Sequence, residues 1–285
     1  MILLTGITGN NGGATATALL DKGVKFRALV RDLDKAADWA AKGVELVQGD
    51  LNDPESVRAA MDGIDRAVLI LPNSEEQERL ELSFIETAQQ AGIAWLLKVS
   101  SPEAVRGTTS PIPLAHIAAE DAVMASGMHW TFVRPSFFMQ NLNGSIAGAK
   151  TSGKLSLPMG QGEAGLTDCA DAGEFIAHIL TAENPAQHYS QCYDISGPDE
   201  IMTFADIAKV MSEILGREIE FDDCDPDAFK EVLRPFQRND WHTEAVAILF
   251  AEIKDGTTPG VKTSILQDML GKPGTSFREY LQKLG

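Results

Sequence analysis

Three glycines near the amino terminus, each three residues from the next, form a pattern that could bind a dinucleotide. Gly6, Gly9 and Gly12 follow a short apolar run, residues 2–5, and lead into a stretch with helical character, residues 14–22. Glycines in such a turn let the backbone approach phosphates, and the start of the helix offers free N–H groups and a positive dipole end. Although three glycines alone are a weak signal, their position directly after a strand favours a pyrophosphate site.

Arg31 follows the second predicted strand, where dinucleotide-binding sheets place the residue that contacts the adenosine ribose. An acidic residue there favours NAD(H), whereas an arginine accommodates the 2′-phosphate of NADP(H). Arg31, with Lys35 nearby, therefore predicts a preference for NADP(H). Asp32 could oppose this reading, but we expect it to cap the next helix. The alternative for Arg31 is a solvated loop charge.

Two further pairs of residues end predicted strands and could line the same cofactor. Asp50 and Leu51 follow the third strand, where such sheets pass the adenine, and Leu71 and Pro72 follow the fourth, beside the middle of the cofactor. Each pair has a simpler explanation, because Asp50 could belong to a turn and Pro72 could merely end its strand.

Ser100 and Ser101 end the fifth predicted strand, where short-chain dehydrogenases carry a serine near the substrate. In those enzymes a Tyr-x-x-x-Lys pair on the next helix protonates a carbonyl, but this chain has no such pair. Its tyrosines are Tyr189, Tyr193 and Tyr280, and none is followed four residues later by lysine. Reduction of a ketone needs such an acid, whereas quinones, iminium ions and conjugated cations depend on it less.

His116 and Glu120 occupy the helix where the tyrosine would lie. Being four residues apart, they share one helix face, and a carboxylate that orients a histidine could form an acid–base pair working near neutral pH. The alternatives are a surface pair, or a histidine that only packs beside the cofactor. A metal site is not expected, because no third ligand stands at a suitable spacing.

Strands and helices alternate through the first half of the chain. Strands are predicted at residues 2–5, 25–30, 44–48, 66–71, 95–100 and 129–134, and helices at residues 14–22, 35–41, 54–61, 77–91 and 114–126. This alternation predicts an α/β fold, a Rossmann-type doubly wound parallel sheet with ligands at the carboxyl ends of its strands.

The pattern changes after residue 134. We predict an NAD(P)-binding domain over residues 1–134 and a smaller C-terminal α/β cap, the substrate-binding region, over residues 135–285, with some late segments returning to the sheet. The glycine-rich stretch 144–165 is predicted to be a loop with short strands. Helices are expected at residues 171–180, 204–215 and 241–254.

Composition restricts the class of protein. The 285 residues are 44% hydrophobic and 23% charged, which is typical of a globular protein, and the net charge of −17 argues against nucleic-acid binding. Cys169, Cys192 and Cys224 are widely spaced and predict a reducing compartment. The absence of a signal peptide and of long apolar runs predicts a cytoplasmic protein that does not enter the membrane. A homodimer is compatible with these features.

Taken together, these residues and several later motifs resemble the NmrA-like group of atypical short-chain dehydrogenase/reductases over nearly the whole chain. The motifs that carry the resemblance are Gly6-Ile-Thr-Gly-Asn-Asn-Gly12, Ala28-Leu-Val-Arg-Asp32, Gly49-Asp-Leu51, Val99-Ser-Ser101, His116-x-x-x-Glu120, Ser126-Gly-x-x-Trp-Thr-Phe-Val-Arg-Pro135, Phe137-Phe-Met-x-Asn141, Tyr193-Asp-Ile-Ser-Gly-Pro198 and Gly216-Arg217. Within that group the chain is similar to bacterial NADPH-dependent quinone and triphenylmethane-dye reductases.

The resemblance implies a set of binding residues. Those expected at the pyrophosphate and adenosine end are Gly6, Thr8, Gly9, Asn10, Asn11, Gly12 and Arg31. Those expected toward the nicotinamide are Ser100, Ser101, Pro135, Phe137 and Phe138.

The expected function is that of an NADP(H)-dependent reductase acting on a small apolar or aromatic acceptor, such as a quinone, an imine or iminium, or a dye-like cation. His116 and Ser101 are the candidates for polarising the acceptor or relaying a proton. The acceptor is expected to contact Phe137, Phe138, Asn141 and Trp241. Two alternatives stay open, namely a non-catalytic sensor of NADP(H) and an enzyme that uses the fold for isomerisation or cyclisation.

Overall fold

The computed structural model describes residues 1–236, 239–258 and 260–284. Contacts divide the chain into two compact units. The first unit contains residues Met1–Ser100, Ala115–Arg134 and Ala172–Tyr193, and the second contains Ser101–Leu114, Pro135–Asp171 and Asp194–Gly285. The domain boundary at residue 134 stays a prediction.

The strands and helices follow one another along the chain in the order of their numbers. The strands are β1 (Ile2–Leu4), β2 (Phe26–Val30), β3 (Glu45–Gln48), β4 (Arg66–Leu69), β5 (Trp95–Val99), β6 (His129–Pro135), β7 (Phe137–Phe138), β8 (Lys154–Ser156), β9 (Glu163–Ala164), β10 (Leu166–Thr167), β11 (Gln191–Ile195), β12 (Met202–Thr203) and β13 (Glu220–Asp222). The helices are α1 (Asn10–Asp21), α2 (Ala37–Ala41), α3 (Pro54–Ala60), α4 (Gln77–Gln90), α5 (Pro111–Ala125), α6 (Asn143–Ser152), α7 (Cys169–Leu180), α8 (Phe204–Leu215), α9 (Pro226–Leu233), α10 (Asp240–Asp255), α11 (Ile265–Leu270) and α12 (Phe277–Lys283).

The first unit is built on a sheet whose strand order is β11-β6-β5-β4-β1-β2-β3. Each neighbouring pair in this order from β6 to β3 is parallel. Ile2 of β1 is in register with Phe26 of β2 on one side and with Arg66 of β4 on the other. This order confirms the predicted doubly wound sheet. Strands β2 and β3 lie on one side of β1, and β4, β5 and β6 lie on the other. Sheets of this kind bind their ligands where the strand order changes side, here between β1 and β4.

Apolar runs form the central strands because helices cover both faces of the sheet. Leu3 and Leu4 of β1 and Leu96 of β5 are fully buried. Helix α3 begins where predicted, because the Asp53 side chain accepts a hydrogen bond from the N–H of Glu55 and Pro54 occupies the first helical position.

The second unit has its own apolar core and short strand pairs. Phe137, Met139 and Phe204 lie at that core, which the partly buried Phe250 also contacts. Strand β7 pairs with β10 and β8 with β13 in parallel, whereas β9 pairs with β12 antiparallel.

The prediction of a loop at the start of the glycine-rich stretch was wrong, because α6 covers residues Asn143–Ser152. Ile146 and Ala149 are buried on one face of this helix, whereas Gly144 and Gly148 have open space where a side chain would stand. Burial of the apolar face therefore outweighs the cost of about 1 kcal/mol that each glycine imposes on a helix. The predicted short strands do follow, as β8 and β9.

Helices α7, α8 and α10 confirm the three helices predicted in this half of the chain. Within the described ranges, none of the helices has both the length and the apolar character that crossing a bilayer requires.

Candidate functional site

The glycine turn begins where hydrogen bonds join the residues that directly follow β1 and β4. The Thr5 hydroxyl donates to the carbonyl oxygen of Ile70 at 2.9 Å and accepts from the N–H of the same residue at 2.8 Å. Gly6 follows with φ +71°, a conformation that L side chains rarely adopt, and a Cβ there would lie 2.6 Å from the Ile70 carbonyl oxygen. The chain can therefore turn sharply only because residue 6 is glycine.

Gly12 lies so close to this turn that no side chain fits. An ideal Cβ on Gly12 would lie 2.1 Å from the carbonyl oxygen of Gly6 and 2.4 Å from its carbonyl carbon. The turn is closed by a hydrogen bond from the N–H of Gly9 to the same Gly6 oxygen, at 2.9 Å. Helix and turn thus pack backbone against backbone.

Helix α1 begins at Asn10 without a side-chain cap, since its N-cap residue is Gly9. Its first turn contains no acidic residue, so the positive end of the helix dipole is not neutralised locally. The N–H groups of the first turn lack partners inside the helix. Thr8, Gly9 and Asn10 are exposed, whereas the Oδ1 atom of Asn11 is buried with no hydrogen-bond partner among the described residues. The N–H groups at the start of α1 are donors of the kind that suit a diphosphate.

Arg31 and its neighbours form the predicted adenosine end. Arg31 is exposed directly after β2. Asp32 caps the following turn as predicted, because its Oδ1 accepts from the N–H groups of Asp34 at 3.0 Å and Lys35 at 3.2 Å. The hydrogen bond from Lys35 is the main cause that lowers the pKa of Asp32. The carboxylate is thus engaged by its own backbone, and Arg31 is left as the charged group for a ribose substituent.

Asp50 forms a local turn, which was the simpler of its two interpretations. Its Oδ1 accepts from the backbone N–H of Asn52 at 2.9 Å and from the Asn52 side chain at 3.0 Å. The backbone hydrogen bond is the largest cause that lowers the pKa of Asp50, and the charge of Arg31 adds to it. Its role beside the adenine stays a prediction.

The remaining predicted cofactor residues of the first unit lie at the carboxyl ends of β3, β4 and β5. Leu51 and Leu71 are half-buried and pack against the apolar core, whereas Pro72 is exposed. Ser100 is buried, and its Oγ atom has no partner among the described residues. A buried hydroxyl costs free energy unless it is hydrogen-bonded. Ser100 and Asn11 thus each leave a buried oxygen that a bound dinucleotide could satisfy.

His116 lies in a buried polar cluster formed with Lys98, Glu81 and Gln77. The Lys98 ammonium is fully buried and donates to Oε1 of Glu81 at 2.8 Å, to the Val99 carbonyl at 3.2 Å and to Nδ1 of His116 at 3.1 Å. The Nε2 atom of His116 lies 3.5 Å from the Gln77 amide nitrogen. An ammonium group has no acceptor, so Nδ1 accepts and the ring proton resides on Nε2. Because the Gln77 amide nitrogen is also a donor, its approach to Nε2 is a contact and not a hydrogen bond.

Glu120 does not orient His116 as expected. Its carboxylate binds the Arg134 guanidinium, with Nε donating to Oε1 at 2.8 Å and a second bond from Nη2. Burial, followed by the positive charges of Lys98 and Arg134, lowers the pKa of His116 well below its usual range. The imidazole is therefore neutral near pH 7, with both nitrogens directed at buried groups. This geometry does not provide the acid–base pair inferred from the spacing.

We expect this depressed pKa to make stability fall in acid. Below about pH 6.5 the unfolded chain protonates its histidine while folded His116 stays neutral, so protons favour unfolding by up to about 1.4 kcal/mol per pH unit. His116→Asn, which keeps an acceptor for Lys98 but does not titrate, should flatten that slope in denaturant titrations between pH 7 and pH 5. His178 and His188, whose pKa values burial also lowers, are common to both proteins. If the wild type and His116→Asn lost stability equally steeply as the pH falls, the depressed pKa assigned to His116 would be contradicted.

The second unit holds the predicted acceptor residues. Phe137 is mostly buried and packs edge-on against Phe204, with ring centroids 6.0 Å apart. Phe138 and Trp241 are half-buried, and Asn141 is exposed. Phe137 is thus part of the core, and the other three side chains are partly or fully accessible.

Pro135 and Ser101 also belong to the second unit. Pro135 is buried at the end of β6, and Ser101 is half-buried two residues before Glu103. The Ser101 hydroxyl donates to the Glu103 carboxyl group, so its first partner is a residue that the sequence did not single out.

Sequence reasoning missed Lys98, Glu81 and Glu103. The signal for Lys98 was available, because a lysine inside the apolar run of β5 must be buried and buried lysines require a partner. Glu81 and Glu103 gave no comparable signal, since acidic residues in a helix or loop are usually solvated.

Comparison with known proteins agrees with this fold. The family model described as the NmrA-like family matches residues 1–280. The NAD(P)H azoreductase of Xenophilus azovorans is 29% identical over 282 residues, which cover 98% of this chain and 96% of that protein. Quinone oxidoreductase 2 of Escherichia coli (strain K12) is 25% identical over 293 aligned positions, covering 100% and 98%. The structure of triphenylmethane reductase from Citrobacter sp., complexed with NADP(H), has a TM-score of 0.88 at 24% identity and covers 99% of each chain.

Proposed function

The chain belongs to the NmrA-like family, and from that premise we propose that it is an NADP(H)-dependent reductase that delivers hydride to a small conjugated acceptor. The backbone cradle at Gly6 and Gly12 carries the proposal, because the close packing of these two glycines places the uncapped start of α1 directly against the turn with no side chain between them. The names of two relatives, an azoreductase and a quinone oxidoreductase, support an acceptor with a conjugated π system.

Each group of residues has a distinct task in this proposal. The amide groups of the glycine turn and the start of α1 bind the diphosphate, and Asn11 and Ser100 supply buried oxygens to the bound dinucleotide. When bound, the reduced nicotinamide supplies the hydride. Phe137, Phe138, Asn141 and Trp241 are the residues that we assign to the acceptor. Their main contribution is to hold the acceptor in a reactive orientation.

The proposal also assigns a task to each domain and a cellular location to the protein. We assign residues 1–134 to cofactor binding and residues 135–285 to acceptor binding. We also place the protein in the reducing cytoplasm, because Cys169, Cys192 and Cys224 are odd in number and widely spaced along the chain.

Arg31 is expected to determine the preference for NADPH over NADH. Replacing it with alanine removes a charged donor to the 2′-phosphate, an interaction worth about 1.5–3 kcal/mol, so NADPH should bind about tenfold to a hundredfold more weakly while NADH affinity stays unchanged. Calorimetric titration of both dinucleotides measures the ratio. Lys35→Ala is the control, since the Lys35 ammonium lies 3.6 Å from Asp32 and is expected to contribute less. An unchanged NADPH/NADH ratio in Arg31→Ala would refute the assignment.

The function is tested by anaerobic oxidation of NADPH with a panel of acceptors, namely neutral quinones, cyclic imines, azo compounds and cationic triphenylmethane dyes. We expect turnover with at least one class, faster with NADPH than with NADH. A protein that binds NADPH tightly but reduces none of them would contradict the proposal and favour a sensor of the dinucleotide.

A further inference from the structure

The second unit contains a cavity of about 10 Å³ next to Glu103. Its lining includes Glu103, Ser136, Phe137 and Thr258. A volume of this size is close to the minimum for one water molecule. The Oγ1 atom of Thr258 is buried and has no hydrogen-bond partner among the described residues. A water bound in the cavity would satisfy that hydroxyl.

Glu103 is joined to Ser101 by two hydrogen bonds. In the first, the Ser101 hydroxyl donates to the Glu103 carboxyl group. In the second, the Glu103 backbone N–H donates to Ser101 Oγ at 3.3 Å. Ser101 itself follows Ser100 at the end of β5, the position where the sequence predicts contact with the acceptor. Glu103 thus contacts the Ser101 hydroxyl and also lines the cavity.

The surroundings of Glu103 favour its protonated form. Burial is the main cause that raises the pKa of Glu103 above its usual range, and the negative charge of Asp194 acts in the same direction. The hydrogen bond with Ser101 opposes these effects only in part.

We propose that Glu103 is the proton donor for acceptors whose reduction produces an anion, and that it acts through the Ser101 hydroxyl with the cavity water behind it. The inference rests on the proposed reductase function and deepens it. It assigns a source for the proton that the missing tyrosine cannot provide.

The proton transfer balances as follows. A neutral quinone that accepts hydride gains two electrons and one hydrogen, and one of its oxygens becomes an anion. In the structure the Ser101 hydroxyl donates to Glu103, so the relay requires that hydroxyl to turn toward the acceptor and the protonated Glu103 carboxyl to donate to Ser101 Oγ. The Ser101 O–H bond then breaks as its proton passes to the anionic oxygen, and the Glu103 O–H bond breaks as its proton passes to Ser101 Oγ. Glu103 is left as a carboxylate and regains a proton from solvent by way of the cavity water.

This role distinguishes between classes of acceptor. Hydride addition to a cationic triphenylmethane dye gives a neutral product, so that reaction needs no proton. Glu103 should therefore matter for neutral quinones and not for cationic dyes. The cationic dye thus serves as an internal control for cofactor binding, folding and hydride delivery.

The test is Glu103→Gln, which keeps the size of the side chain and its ability to hydrogen-bond Ser101. We expect kcat with a neutral benzoquinone to fall about a hundredfold, the lower range for general acid catalysis, while kcat with a cationic triphenylmethane dye changes less than about twofold. Glu200→Gln is the matched control, because Glu200 is exposed and pairs with Lys262. Equal quinone rates in Glu103→Gln and wild type would overturn the inference.

A second readout does not depend on activity. Infrared spectra of the cofactor-free protein, recorded as the pH is raised above the range in which exposed carboxyl groups ionise, should show a persisting carbonyl band of a protonated carboxyl group that shifts in D₂O and is absent in Glu103→Gln. Absence of the band from the wild type would overturn the inference even where the dye is reduced. A wild type that reduces neither acceptor would refute the proposed function, and the proton relay with it, whatever the infrared result.

Discussion

Replacing Lys98 with methionine is expected to lower the free energy of unfolding by about 3–5 kcal/mol. The Lys98 ammonium and the Glu81 carboxylate are both buried almost completely and lie 2.8 Å apart. Removing the lysine leaves a buried carboxylate whose charge has no compensating cation, and His116 loses the donor to its Nδ1. Denaturant unfolding followed by circular dichroism measures the loss.

The double variant Lys98→Met, Glu81→Met separates the cost of the unpaired charge from the cost of altered packing. Because both charges are then absent, the double variant should recover much of the stability that Lys98→Met loses. Lys154→Met is the control, since Lys154 and Glu220 form an exposed pair at 3.5 Å, worth no more than about 1 kcal/mol. A loss in Lys98→Met as small as that in Lys154→Met would contradict the buried ion pair.

Gly12→Ala is expected to weaken NADPH binding by about tenfold to a hundredfold, equivalent to about 1.4–2.8 kcal/mol. The new methyl group would lie 2.1 Å from the Gly6 carbonyl oxygen, so the glycine turn and the start of α1 must move apart. In the proposed function both parts supply amide donors to the diphosphate, and a separation of this kind would misplace them. Fluorescence titration of NADPH measures the change.

Gly13→Ala is the matched control for this prediction. It adds the same methyl group to the next residue of the helix, where the nearest atom, the Ile7 carbonyl oxygen, would lie 3.3 Å away. We expect it to bind NADPH within a few-fold of the wild type. If Gly12→Ala folds and binds NADPH as tightly as Gly13→Ala, the cradle does not bind the diphosphate.

The sequence was most informative where structure depends on neighbouring residues. The glycine turn, the cap formed by Asp32 and the start of α3 at Pro54 each involve residues within a few positions of one another, and each was predicted. The alternation of strands and helices predicted the sheet for a similar reason, since right-handed crossovers and short connections leave few topologies.

Prediction failed where burial or long-range contact decided the outcome. Helix α6 forms despite its glycines, because Ile146 and Ala149 pack into the core of the second unit, and no local pattern reports that packing. The four-residue spacing of His116 and Glu120 placed them on one helix face, but it could not reveal that Arg134 on β6 would bind Glu120.

The sequence by itself thus determined the family resemblance, the sheet and the glycine turn, because glycine conformation, capping and apolar periodicity act over short distances along the chain. Only the tertiary structure decided which ionisable side chains contact one another. Lys98 bonds Glu81 and His116, which lie 17 and 18 residues away along the chain, and Glu103 lies beside a cavity that late segments help to line. The protonation of His116 and Glu103 depends on that burial and on those neighbours, and both arise only when distant segments pack together.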